Sequence, residues 1–147
     1  MKNKYSYQGS TEKIGKAQIK RANISFKHSN ETCAAIKGKK VDTALKFLER
    51  VINQEEAIPY KRYTTGVGHR KNGIIGRYPK KAAKIIKKVL ENAKANAEFN
   101  GLDTDKLVIK HASAYRTHRI QRRRPKGGGA SPALHHIDWT AIEIVVG

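Results

Sequence analysis

Apolar positions recur along the chain with two periods. Val41, Ala44, Leu45, Leu48, Val51 and Ile52 fall at i, i+3, i+4, i+7, i+10 and i+11, which is one face of a helix. Asp42 sits in its first turn, where a carboxylate suits the helix dipole. Ala82, Ala83, Ile85, Ile86, Val89, Leu90, Ala93 and Ala97 trace a broader face in a longer helix. Pro79 is expected as its first helical residue and Asn100-Gly101 as its end, so about 21 residues would span about 30 Å. A third helix carries Cys33, Ala34, Ala35 and Ile36, with Ser29 expected as N-cap, Glu31 in the first turn and Gly38 at C′. Period two marks the far end, where Ile142, Ile144 and Val146 alternate with Ala141, Glu143 and Val145. Lys16 to Phe26, KAQIKRANISF, reads as one short surface strand.

Leu107 to Val146 is read as a hairpin: two strand-like runs flank GGGASP. Fifteen continuous strand residues from Leu107 to Gln121 would reach about 50 Å at about 3.3 Å each. A domain of roughly 110 residues has a radius of gyration near 13 Å, so the strand outruns the body. The base, Leu107–Ile109 with Ile142–Val146, is expected in the core. The outer half, Arg116 to His136, is basic and is expected to be ordered by a ligand outside the protein.

Charge changes this picture. The 147 residues hold 31 Lys and Arg against 12 Asp and Glu, a formal net charge of +19. Such an excess opposes compaction by self-repulsion and calls for a polyanionic partner. No acid occurs between Lys106 and Ile137, nor between Lys61 and Leu90. The second gap takes in the loop 55–78 from Lys61 onward; that loop has glycines at 66, 68, 73 and 76 and is expected to be irregular and to order on RNA. The densest basic run is Arg116, Arg119, Arg122, Arg123, Arg124 and Lys126. Arginine's planar fork binds phosphate in two places and stacks on bases, which favours docking into structured RNA over general attraction. Six lysines against Glu91 and Glu98 on the long helix extend the same bias.

Other chemistries find little support. One cysteine, Cys33, allows no internal disulfide and is expected in the core, as in a reducing cytosol. His111, His118, His135 and His136 lack partners at ligand spacing, and neighbouring arginines repel a cation, so no metal is expected. Gly73-Ile74-Ile75-Gly76 matches a KH-type GxxG only superficially, because its central pair is apolar. No phosphate-cradling loop or nucleophile elbow is present. No apolar run spans a bilayer, and the opening MKNKYSYQGS has no signal-peptide segment, so neither membrane nor export is expected.

The order of features nevertheless resembles a known family. A basic strand ending RANIS, the junction Ile36-Lys37-Gly38-Lys39-Lys40-Val41 with Ala44 and Leu45, a long helix and a closing basic hairpin ending IEIVV are similar to ribosomal large-subunit protein twenty-two, counted as seventeen in the eukaryotic series. The insertion Tyr60–Tyr78 resembles the archaeal and eukaryotic branch. The resemblance covers about Lys16 to Gly147. It implies an α+β fold, three helices packed on a small three-stranded antiparallel sheet with a long projecting β-hairpin. It also implies a structural, non-enzymatic constituent of the large ribosomal subunit, with a tip that lines the nascent-peptide exit tunnel. The expected organisation is a flexible tail over 1–13 and a single rRNA-binding domain over 14–147, with the projecting hairpin at 110–137. The expected location is cytoplasmic, in the large subunit. The expected partners are large-subunit rRNA of the 23S type, neighbouring large-subunit proteins and the nascent polypeptide. Neither cofactor, membrane nor homo-oligomer is expected.

Candidate rRNA contacts run through every element. They are Lys16, Lys20 and Arg21 on the first strand, Lys27 and His28 after it, and Lys37, Lys39 and Lys40 at the junction. The loop supplies Lys61, Arg62, His69, Arg70, Lys71 and Arg77, and the long helix Lys80 and Lys81. The hairpin supplies Arg116, His118, Arg119, Arg122, Arg123, Arg124 and Lys126. By position the tunnel tip is Arg124, Pro125, Lys126, Gly127, Gly128 and Gly129. Two rivals use the same basic surface: an RNA-processing enzyme with an acid or histidine pair in a cleft, and a general DNA-compacting protein.

Overall fold

The computed structural model describes residues 5–9, 13–124 and 133–147, with the side chains of residues 72, 122–124 and 133–136 excepted. It is an α+β structure. β1 (Gly15–Ala22), α1 (Phe26–Ile36), α2 (Val41–Ile52), the two-residue strands β2 (Ile58–Pro59) and β3 (Gly76–Arg77), α3 (Lys80–Phe99), β4 (Ile109–Arg124) and β5 (Ala133–Val146) follow in order. The main sheet runs β1-β5-β4, so the strand made last lies in the middle.

Both pairings of β5 are antiparallel. β1 registers from Gly15↔Val146 to Ala22↔Thr140, and β4 from Ile109↔Val146 to Arg124↔Ala133. Ile142, Ile144 and Val146 face the helices and join one apolar cluster with Ile36, Val41, Leu48, Ile86, Leu90 and Ile109. The sixfold alanine and isoleucine face of α3 lets it approach β1 closely. A Cβ on Gly15 would stand 2.3 Å from the Ala93 carbonyl oxygen, so only glycine fits there.

The junction that carried the family resemblance has a clear structural task. Gly38, at φ +80°, turns the chain between α1 and α2. The strip beside it then zips onto the start of β4: Gly38 N–H donates to Ile109 O (2.9 Å), Ile109 N–H to Lys39 O (3.0 Å) and Val41 N–H to Leu107 O (3.0 Å). The α1–α2 turn and the ribbon's base are thereby fixed together.

Several expectations need correction. The first strand ends at Ala22, not Phe26, because Phe26 already opens α1 with Ser25 at the N-cap position. Ser29 is therefore no cap. It is buried within the helix, its hydroxyl donating to Ser25 O, as Thr32 donates to His28 O. Hydroxyls that bond back to their own helix can occupy a buried face, and this hid the helical period. Glu31 lies in mid-helix and is 2% exposed. Pro79 stands at the N-cap position, one residue before the helix. The loop 55–78 contains β2 and β3, paired Ile58↔Arg77 and Pro59↔Gly76. On β5 the alternating set Ala141, Glu143 and Val145 is as buried as Ile142, Ile144 and Val146, and so is Thr140.

Cys33 is buried and unpaired, and burial pushes its thiol up to about 12. A thiol held protonated is a poor nucleophile. A maleimide reagent at neutral pH is expected to leave native protein unmodified and to label it fully in denaturant. Rapid labelling of the native state would contradict this placement of Cys33.

Candidate nucleic-acid interface

Exposure divides the β4–β5 ribbon sharply. Ala112 and Ala114 are buried, whereas Arg116, Thr117, His118 and Arg119 are exposed; on the return strand burial starts at Thr140. The base is thus longer than expected, reaching Ala114 and Thr140. Arg116 Nε and Arg119 Nε both reach Asp138 Oδ1, at 3.4 and 3.0 Å, and the Arg116 guanidinium lies 5.3 Å from the Phe26 ring centroid. Exposed pairs of this kind contribute at most about 1 kcal/mol, so both arginines keep most of their capacity for phosphate.

These two are the only expected RNA-contact cations paired with a carboxylate among the described residues. Lysines on α3 split into two sets. Lys87 bonds Glu49 at 2.8 Å and Lys94 bonds Asp42 at 2.7 Å, both bridging to α2. Lys80 and Lys81, at the other end, remain exposed. Lys39 rests 4.2 Å from the Phe47 ring centroid. Lys20, Arg21, Lys27, Lys37, Lys40, Lys61, Arg62, His69, Arg70 and Lys71 are exposed, and Lys16, His28 and Arg77 are half-buried. Pro125–Gly129, with Lys126, lie outside the described residues, as do the side chains of Arg122, Arg123 and Arg124.

The basic loop is organised by an acid that sequence reading misplaced. Glu31 Oε1 accepts the N–H groups of Arg62 and Tyr63, each at 2.8 Å, and its Oε2 accepts that of Lys61 at 3.1 Å. One carboxylate thus satisfies three successive backbone donors. At the loop's other side Arg77 Nη2 donates to Gly66 O (2.8 Å) and Arg70 Nε to Gly76 O (3.1 Å). Gly73 and Gly76 belong to a tight bend closed by Arg70 N–H to Ile74 O, which differs from the two-helix clamp of a KH domain. A Cβ on Gly76 would stand 2.4 Å from Ile58 O, so the glycine serves the β2–β3 pair.

His28 contacts the Tyr60 hydroxyl through Nδ1. Burial, then Arg77 and Lys27, lowers the His28 pKa below its ordinary 6.5, and burial first pushes the Tyr60 hydroxyl up to about 12. Just below pH 6.5 the unfolded chain therefore binds more protons than the folded one. Stability rises with pH through that window and falls as pH drops. Urea midpoints are expected to decline toward acid, and to decline less steeply in His28→Asn; parallel profiles would remove His28 from the account.

A second buried acid, Glu143, accepts from Ser6 N–H (3.1 Å), Ser113 Oγ (3.1 Å) and Tyr115 Oη (3.3 Å), and contacts His111 Nε2 at 3.1 Å and the Ser6 hydroxyl. This Ser–His–Glu grouping is not a catalytic relay. The same nitrogen, Nε2, faces Ser6, Ser113 and Glu143. A relay needs hydroxyl and carboxylate on opposite ring nitrogens. The cluster instead pins residues 5–9 across the sheet. Among the described residues no group of three or more His, Cys, Asp or Glu could hold a metal.

The model for ribosomal protein L22p/L17e matches residues 17–147. The large ribosomal subunit protein uL22 of Archaeoglobus fulgidus is 44% identical, over 96% of this chain and 93% of its own. Its counterparts in Methanocaldococcus jannaschii (46%, 88% and 85%) and Haloarcula marismortui (36%, 97% and 90%) are also similar. With the β1-β5-β4 sheet, its three helices and the match along nearly the whole length, the chain belongs to the ribosomal protein L22p/L17e family, in its archaeal form.

Proposed function

We propose that the chain is a structural constituent of the large ribosomal subunit, without catalytic activity, that binds and organises large-subunit rRNA during assembly. The observation that carries this reading is the set of exposed cations on β1, the α1–α2 junction, the loop, the start of α3 and the outer ribbon. Among those described, only Arg116 and Arg119 meet a carboxylate. Cations facing several directions from one rigid body can neutralise phosphates of separate RNA segments at once. Those segments can then approach one another. The outer ribbon projects into that RNA, and residues 124–129 form tunnel wall beside the nascent polypeptide. Family likeness supports this last step. Neighbouring large-subunit proteins are the expected further partners, and among the described residues no helix is long and apolar enough to cross a membrane.

Binding carried by phosphate contacts weakens steeply with salt; six to ten contacts cost about 10³–10⁵ in affinity between 50 and 200 mM. The purified chain should bind deproteinised large-subunit rRNA with such a slope and prefer it over duplex DNA at equal salt. It should also co-sediment with large subunits. Equal affinity for duplex DNA would favour the DNA-compacting reading and overturn this one.

A further inference from the structure

Between the start of α1 and the basic loop lies a cavity of about 230 Å³, lined by Lys27, His28, Tyr60, Arg62, Tyr63 and Arg77 among others. We propose that this cavity receives one unstacked nucleotide of RNA, its base against the Tyr63 ring and its phosphate on the surrounding cations. The inference rests on the rRNA-binding reading and names a particular subsite within it.

Four observations converge. The lining includes three cationic side chains and no acid. Glu31 is not in the lining, and its oxygens are occupied by the loop's N–H groups. A guest here is therefore an anion. The volume is below the range of about 300–1,000 Å³ that drug-sized ligands fill, so only part of the guest sits inside it and the rest lies across its mouth. A bare phosphate would leave the tyrosines without a role. Tyr63 is half-buried, with the Phe26 ring tilted against it at 72° and a centroid distance of 6.1 Å. Its other ring partners are exposed cations, Arg62 at 5.7 Å and Lys27 at 5.8 Å. Those cations can move to a phosphate and leave the ring to a base, as aromatic platforms for single-stranded RNA do.

The cavity is also held open from behind. Glu31 fixes the backbone of Lys61, Arg62 and Tyr63, and Arg77 is braced by Gly66 O. The neutral His28 is held on Tyr60 at its floor. Such a site is pre-formed, so a nucleotide that is already extruded from its helix can enter without rearranging the loop.

The test compares the full chain with Tyr63→Leu and Tyr63→Phe for binding to deproteinised large-subunit rRNA over a salt series. Stacking of one base is read as about a tenfold loss in Tyr63→Leu with the salt slope unchanged, and Tyr63→Phe should restore affinity. In parallel, adenosine 5′-monophosphate should shift the Tyr63 ring resonances, and inorganic phosphate should shift only the cations around them. Wild-type affinity in Tyr63→Leu, with Arg116 and Arg119 variants still impaired, would overturn the nucleotide site and leave the rRNA reading standing. Equal responses to the nucleotide and to inorganic phosphate would reduce the cavity to an anion site and overturn the proposal too. A leucine variant that binds rRNA normally but fails to enter subunits would assign the cavity to a protein carboxylate instead. A full chain that binds no rRNA at all would remove both readings. If Tyr63→Leu lost its native circular dichroism, the phenylalanine variant and the nucleotide titration of wild type would still decide.

Discussion

Glu31→Ala is expected to cost about 3 kcal/mol of stability and to detach the basic loop from the helices. The carboxylate accepts three backbone N–H groups and is itself almost completely buried. Each polar group left without its partner costs about 1–3 kcal/mol when buried. These donors are only partly buried, which places the sum at the low end. Glu31→Gln keeps one acceptor oxygen and should fall between the two. Urea midpoints measure the stability. Hydrogen exchange at Lys61, Arg62 and Tyr63 measures the local effect, which should be larger than the global one. If Glu31→Ala unfolds with the wild type and those amides exchange no faster, the loop is held by something else.

The second large effect concerns the ribbon. Arg116→Glu with Arg119→Glu should lower affinity for large-subunit rRNA by about a hundredfold near 0.1 M salt. The slope of log affinity against log salt should become shallower by about two phosphate contacts, at about 0.7–0.9 each. The fold should survive. Both side chains are exposed, and losing their pairs with Asp138 removes at most about 1 kcal/mol each. Arg116→Lys with Arg119→Lys keeps the charge and loses the two-pronged fork. It should therefore preserve the slope while weakening binding. A charge-reversed chain that binds with an unaltered slope would mean that this part of the ribbon does not meet phosphate.

What could be read from sequence followed the periodicity. The faces of α2 and α3 were legible because aliphatic residues at helical spacing trace them, although Phe47, which completes the buried face of α2, was not read, and the ribbon was legible because its charge changes so abruptly. Glu31 and Glu143 were not. Each is an acid in a chain of excess cations, and each reads as ordinary surface until its partners, 28 and more residues away, are known. Ser29 shows the same limit from another side. A serine near a helix start suits a cap equally well by composition, and only the position of Phe26 decides otherwise. The cavity beside Tyr63 was equally hidden, since its walls come from α1, the loop and β3. Its one local signal was the interleaving of tyrosine with arginine and lysine at Tyr60-Lys61-Arg62-Tyr63.

The position of β5 bears on how the molecule comes to exist at all. β1 and β4 have no pairing with each other; each pairs only with β5. Every pairing of the three-stranded sheet therefore waits for residues 133–146, while the small β2–β3 pair can form without them. Until then α1, α2 and α3 can form, but Ile109 and Gly15 have no strand between them. The chain's folding time is set by the pairing of residues more than 100 positions apart, a class of contact that forms slowly. Closure of the main sheet is thus a long-range step, whatever the helices do earlier.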